Sequence, residues 1–232
     1  MRRNIVILGF LILIQLTITS QDFLDWREYE RLYKHVELMP ENLKKDPERI
    51  VNYLKKAAID KRELIEILYY WISNNISYDV EGYSKTDYGA VDGLSVLKTR
   101  KTVCQGYAEL FKLLCDKANI ECVIITGYGK GYGYDGTRED KPNHAWNAVK
   151  LNNQWKLVDV TWGSGYIEAV NDSLVYKKNL NLGYIFTKPD GFIIKHFPED
   201  SKWQLLDKPI SMDEFYSKEM DEKIEHIIRF LR

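Results

Sequence analysis

From His144 to Trp162 the chain reads HAWNAVKL, then NN, then QWKLVDVTW. Two runs rich in β-branched and aromatic residues flank Asn152-Asn153, a pair that tolerates positive φ, so the stretch predicts two strands joined by a two-residue hairpin turn. With Leu151 opposite Gln154, His144 faces Thr161 and Asp159 faces Trp146. His144 and Asp159 then share one sheet face as diagonal neighbours, roughly 7–8 Å apart at Cα. A slip of one residue would send them to opposite faces.

Working outward, Thr102-Val103-Cys104-Gln105 fits the S/T-x-x-E/Q capping box. Thr102 is the expected cap of a helix that holds Cys104 in its first turn and runs through Tyr107, Leu110, Phe111 and Leu114 to near Asn119. Further back, Asp46 before Pro47 opens one helix, and Asp60 with Glu63 opens a second whose apolar stripe is Leu64, Ile65, Leu68, Trp71 and Ile72. Residues 79–101 show no sustained period and read as a long loop. Ile120 to Thr126 is β-rich. It leads into a glycine-tyrosine segment, 127–136, that reads as a turn-rich loop whose tyrosines are candidates for ligand contact and whose spacing fits no nucleotide fingerprint. Tyr184-Ile185-Phe186 and Phe192-Ile193-Ile194 are candidate short strands, and Ser211 with Glu214 opens a final helix through Phe215, Ile224, Ile227, Ile228 and Leu231.

The chemistry centres on Cys104. A thiol at a helix start meets the positive end of the macrodipole and unpaired backbone N–H groups, which favour thiolate and can hold the oxyanion of an acyl intermediate. A nucleophilic Cys needs a base, and the base needs an orienting group; His144 and Asp159 supply both. His196 is the rival base, with no evident carboxylate in an adjacent strand. His35 and His226 read as surface or helix positions. Cys115 and Cys122 lie in apolar settings and read as buried structural thiols in preference to a disulfide. Gaps of 11 and 7 residues between the cysteines, with no CxxC, argue against a zinc site, and no cofactor is expected.

These residues carry a resemblance. Thr102-Val103-Cys104-Gln105-Gly106-Tyr107-Ala108, Asn143-His144-Ala145-Trp146-Asn147 and Val158-Asp159-Val160-Thr161-Trp162 are similar, in this order, to the three motifs of the transglutaminase-like superfamily of papain-type thiol enzymes. Trp71 to Asp79 and the tail from His196 to Leu206 resemble its kyphoscoliosis-peptidase branch most. The likeness spans about residues 60–215. It implies an α+β fold, a Cys-bearing helix packed on an antiparallel sheet whose adjacent strands carry the His and the Asp. It also implies acyl transfer in which Cys104 attacks a carbonyl, His144 moves the proton and Asp159 orients the ring. Members include proteases, amide-forming cross-linkers, amidases and inactive binders, so a thiol peptidase, a cross-linker and a silent binding module all stay open. Thr102 departs from the glycine that is frequent at its position.

Composition bounds the partners. The chain has 232 residues, 45% of them hydrophobic, with 33 basic and 34 acidic side chains. That is enough for one buried core, and the even charge argues against a nucleic-acid partner. Arg2-Arg3, an apolar run from Ile5 to Ile14 and the exit Thr17 to Ser20 have the layout of a secretory signal peptide, too short to span a bilayer. The expected organisation is a signal peptide at 1–20, an N-terminal helical segment at 21–59, a catalytic core at 60–165 and a C-terminal α/β extension at 166–232. The expected product is an exported protein, secreted or periplasmic, with a protein or peptide substrate and no membrane span after cleavage. Oligomeric state is open.

Overall fold

A computed structural model describes residues 26–230 apart from residue 172, so the signal peptide read at 1–20 and Leu231 lie outside the described residues. Helices α1 (Trp26–Glu37), α2 (Pro47–Leu54) and α3 (Lys61–Asn75) come first. The caps of α2 and α3 are the aspartates expected: Asp46 accepts from the Arg49 N–H and Asp60 from the Glu63 N–H. In α3, Glu63 does not close the box but turns to the Ile59 N–H and to Arg31 of α1, which grips it with two hydrogen bonds of 2.7 and 2.8 Å.

The stretch read as a loop at 79–101 is largely helical. It holds α4 (Val80–Lys85) and α5 (Gly93–Thr99), bracketed by two-residue strands β1 (Ser77–Tyr78) and β2 (Lys101–Thr102) that pair in parallel. Each helix is too short for an amphipathic period to show. Their sequence signals are the caps Asp79 and Asp92, which accept from the Gly82 and Ser95 N–H groups.

Helix α6 (Cys104–Lys117) starts one residue later than the capping-box reading, with Val103 at the cap position and no side-chain cap. Thr102 belongs to β2 instead, and Gln105 reaches forward to Glu109. The crossing is tight: a Cβ on Gly106 would stand 1.9 Å from Thr102 Oγ1, so only glycine fits where α6 passes β2.

The main sheet has five strands in the order β8-β5-β4-β3-β9, all antiparallel: β3 (Cys122–Gly129), β4 (His144–Leu151), β5 (Gln154–Val158), β8 (Ile185–Thr187) and β9 (His196–Pro198). The β4–β5 hairpin has the expected register, Leu151 opposite Gln154, and its turn residues Asn152 and Asn153 sit at φ 50° and 62°. Pairing ends at Asn147 opposite Val158, so the second run is shorter than the strand read through Trp162. Asp159 accepts a hydrogen bond from the Trp162 N–H and opens α7 (Val160–Ser164). A separate hairpin, β6 (Gly165–Val170) with β7 (Ser173–Lys178), follows unforeseen. Phe192-Ile193 closes a helical turn, α8 (Pro189–Phe192), and is not a strand. The final helix is two: α9 (Met212–Phe215), with the Ser211–Glu214 capping box, and α10 (Lys218–Phe230).

The main core lies where α3 and α6 meet the sheet. It contains Trp71, Tyr107, Phe111, Leu114, Val149 and Val158, each 0% exposed, and each large apolar side chain so buried contributes about 1.5–3 kcal/mol. One polar tie crosses the layers. Buried Asn147 of β4 donates Nδ2–H to the Ala108 carbonyl of α6 at 3.1 Å and to the Val123 carbonyl of β3 at 3.2 Å. Cys104, Cys115 and Cys122 are free thiols, the last two buried. Among the described residues no helix is long and apolar enough to cross a membrane.

Candidate active site

Cys104 is the first residue of the fourteen-residue α6. Because no side chain caps that helix, its leading N–H groups remain available to a ligand. His144 opens β4 and Asp159 follows β5 directly, so the hairpin turn brings both to the same end of the sheet. His144 Nε2 lies 2.8 Å from Asp159 Oδ2, and the His144 ring and the Cys104 sulfur are close enough that each shifts the other's titration. The sequence-predicted residues Cys104, His144 and Asp159 thus form one contiguous chain. Cys104 and His144 open onto a cavity of about 500 Å³ walled by Tyr78, Tyr132, Tyr134, Trp162, Tyr166 and Tyr184 among others, so tyrosines of the 127–136 segment do border it.

His196 corrects the reading that it lacks a carboxylate. Its Nε2 lies 2.9 Å from the same Asp159 Oδ2. The ring is 1% exposed, stacked on Phe192 with centroids 3.9 Å apart and leaning on Trp162 at 4.2 Å. Strand adjacency hides this contact, since β9 lies beside β3 and not beside β5. The rings converge because the end of β3 is glycine: Gly127 pairs with His144 and Gly129 with His196, and a Cβ on Gly129 would press to 3.0 Å of His144 Cβ. The signal available in the sequence was a histidine in an apolar run, Phe192 to Phe197, which must find a partner when buried.

Asp159 is 0% exposed and fully satisfied. Oδ2 accepts from both rings and Oδ1 accepts from the Trp162 N–H at 3.0 Å. Burial opposes its charge, but the charge and hydrogen bond of His144, followed by His196, hold the carboxyl well below the usual range. Burial likewise works against the His144 imidazolium, yet Asp159, helped by Cys104, pushes it up to about 10. For Cys104 burial favours the thiol; the hydrogen bond and charge of His144, with the Ala145 N–H, outweigh it and lower the pKa. His196 goes the other way, brought down to about 4 chiefly by burial, so it is a neutral donor. The two histidines therefore differ in charge while sharing one oxygen.

The ligating atoms of His144, Asp159 and His196 lie within 4.8 Å of one another. Each carboxylate oxygen already has its donors and all three side chains are buried, so a hydrogen-bonded carboxylate describes the cluster better than a metal centre does. Chemically, a thiol in contact with a carboxylate-backed imidazole at a helix start can exchange its proton and attack a carbonyl.

Residues 48–160 match the family model of the transglutaminase-like superfamily. The chain carries a transglutaminase-like domain. Cys104, His144 and Asp159 fall inside the matched stretch; His196 falls beyond it. The chain is 37% identical over 194 residues to the kyphoscoliosis peptidase of Mus musculus and 34% identical to that of Homo sapiens; each alignment covers 83% of this chain and 29% of the relative. It therefore spans under a third of the length of these relatives. Among solved structures, the periplasmic domain of TgpA from Pseudomonas aeruginosa aligns with a TM-score of 0.39 at 18% identity, over 58% of this chain and 49% of that one. In this transglutaminase-like chain the sheet is completed from outside the matched stretch, by β8 and β9.

Proposed function

We propose that this protein is an exported cysteine-dependent acyl-transfer enzyme that works as a thiol peptidase on protein substrates, with Cys104 as nucleophile, His144 as acid and base, and Asp159 as the group that orients His144. The observation that carries the reading is that Cys104, at the start of α6, lines one cavity with a His144 whose ring is held at 2.8 Å by the buried Asp159 carboxylate. With Nε2 committed to the carboxylate, Nδ1 is the nitrogen that exchanges the proton with the thiol. The Cys104 thiolate attacks the scissile carbonyl, and the negative charge on its oxygen is met by backbone N–H groups at the start of α6. His144 gives its proton to the leaving amine, which departs and leaves a thioester. His144 then takes a proton from water, which attacks the thioester, releases the acid and returns the thiol.

The test is alkylation of the intact protein as a function of pH, each cysteine followed by peptide mapping. Cys104 is expected to react well below the ordinary thiol pKa of about 8.5, at least tenfold faster than Cys115 and Cys122, and His144→Ala is expected to abolish the advantage. A Cys104 that titrates like a free thiol in both forms would sink the proposal. With a peptide substrate in hand, Cys104→Ala is expected to lose all turnover. Incorporation of a labelled primary amine, absent in Cys104→Ala, would shift the assignment from hydrolysis to cross-linking.

A further inference from the structure

Apart from the tyrosines, four groups on the wall of the cavity beside Cys104 can bear charge: Cys104, His144, Lys130 and Lys195. Three of them have partners within the protein. His144 is held by the Asp159 carboxylate at 2.8 Å, and Cys104 is coupled to the same ring. Lys130 is turned inward, its side chain 1% exposed, donating 2.6 Å hydrogen bonds to the Phe215 carbonyl and to Asp221. Lys195 is different. It is half-buried, only burial acts on its titration, and no described residue gives it an ion pair or a side-chain hydrogen bond.

Its place is fixed by the backbone. The Lys195 carbonyl accepts from the Lys130 N–H at 2.9 Å and its own N–H donates to the Phe192 carbonyl at 3.2 Å. One peptide unit, about 3.8 Å at Cα, separates it from His196, whose ring sits on Asp159. The rest of the wall repeats the same polarity. No Asp or Glu among the described residues lines the cavity. Burial raises Tyr78 above its ordinary value and Tyr184 to about 12, so both phenols are O–H donors at neutral pH. A half-buried ammonium without a counter-ion, lining the same cavity as Cys104 together with hydroxyl donors, is complementary to a carboxylate.

We propose that Lys195 is the recognition group for a carboxylate next to the reacting carbonyl, which makes the preferred substrate an acidic peptide. The inference rests on the thiol-enzyme reading and adds the class of substrate. The carboxylate can be an Asp or Glu side chain or a free C-terminus.

The test needs no natural substrate. Alkylation of Cys104 in the full chain is timed with iodoacetate, which carries a carboxylate, and with iodoacetamide, its neutral counterpart. The ratio of the two rates cancels any change in thiolate fraction. Lys195→Met is expected to lower the iodoacetate-to-iodoacetamide ratio about fivefold, Lys195→Arg to restore it, and high salt to narrow the difference in the parent protein. A ratio equal in the parent and Lys195→Met proteins would overturn the proposal. Slow reaction with both reagents in the parent would instead overturn the thiol-enzyme reading, and the substrate assignment with it. Internally quenched peptides carrying Glu or Gln beside the scissile bond, and C-terminal acid or amide, then separate side chain from terminus. Equal cleavage of all four would also overturn the proposal.

Discussion

Asp159 presents one oxygen to two histidine rings, and the charge difference between those rings decides what each can do. His144 is held protonated by the carboxylate, whereas His196, boxed in by Phe192 and Trp162, stays neutral and donates. His196 thus helps fix the carboxylate that holds the His144 ring. His196→Phe empties one lone pair of a buried carboxylate and is expected to destabilise by about 1–3 kcal/mol while moving the Cys104 alkylation profile, measured by urea unfolding and by peptide mapping. His196→Gln, which restores a donor, is expected to recover the profile in part. Stability should also depend on pH in both directions. His196, depressed to about 4, and Asp159, also depressed, bind protons more readily unfolded, so the His196 contribution is lost as pH drops from about 6.5 through 4 and the Asp159 contribution only below about 4. His144, raised to about 10, binds its proton more tightly when folded, so that contribution is complete below about 6.5 and lost as pH rises through 10. Urea midpoints are therefore expected to peak near neutrality, and a midpoint still rising toward pH 4 would contradict this assignment. Of these residues, Cys104, His144 and Asp159 were legible from residue type and spacing. His196 was not, because its partner lies across strands whose order no local pattern reports.

Among the elements, the hairpin was legible because both cues, runs rich in β-branched and aromatic residues and a positive-φ pair, are local. The Asn152-Asn153 turn also fixes which face His144 occupies. Replacing both asparagines by alanine forces two left-handed residues without their local compensation and is expected to cost roughly 1–2 kcal/mol at each, read as a lower urea midpoint. Asn153→Gly should be tolerated, since φ 62° suits glycine. Among the elements that escaped are the helices α4, α5 and α7, each under eight residues. Their caps, Asp79, Asp92 and Asp159, were visible as residue types, but a cap without a period behind it looks the same as a loop aspartate. At 159 that ambiguity had a consequence, since the aspartate that binds the His144 ring is a helix cap and not a strand residue.

For the molecule as a whole, the C-terminal elements close over the cavity wall. Lys130, beside the cavity, is bound to Asp221 of α10, and Ile224 of the same helix lines the cavity. Asp221→Ala would leave an ammonium buried without its counter-ion, at an expected cost of about 3–5 kcal/mol. Lys130→Met should cost less, because Asp221, 33% exposed, can return to water. Denaturant unfolding of the two variants checks the asymmetry. None of this docking was legible in the sequence, because Lys130 and Asp221 lie ninety-one residues apart and neither position has a distinctive pattern. A different consequence follows from the Asn147 tie between β4 and α6. The Cys104 sulfur and the His144 ring are mounted on separate layers, so their alignment belongs to the joint and to neither part. We predict that on heating this joint loosens before helix and sheet melt, so that the low-pH alkylation advantage of Cys104 is lost at a lower temperature than ellipticity.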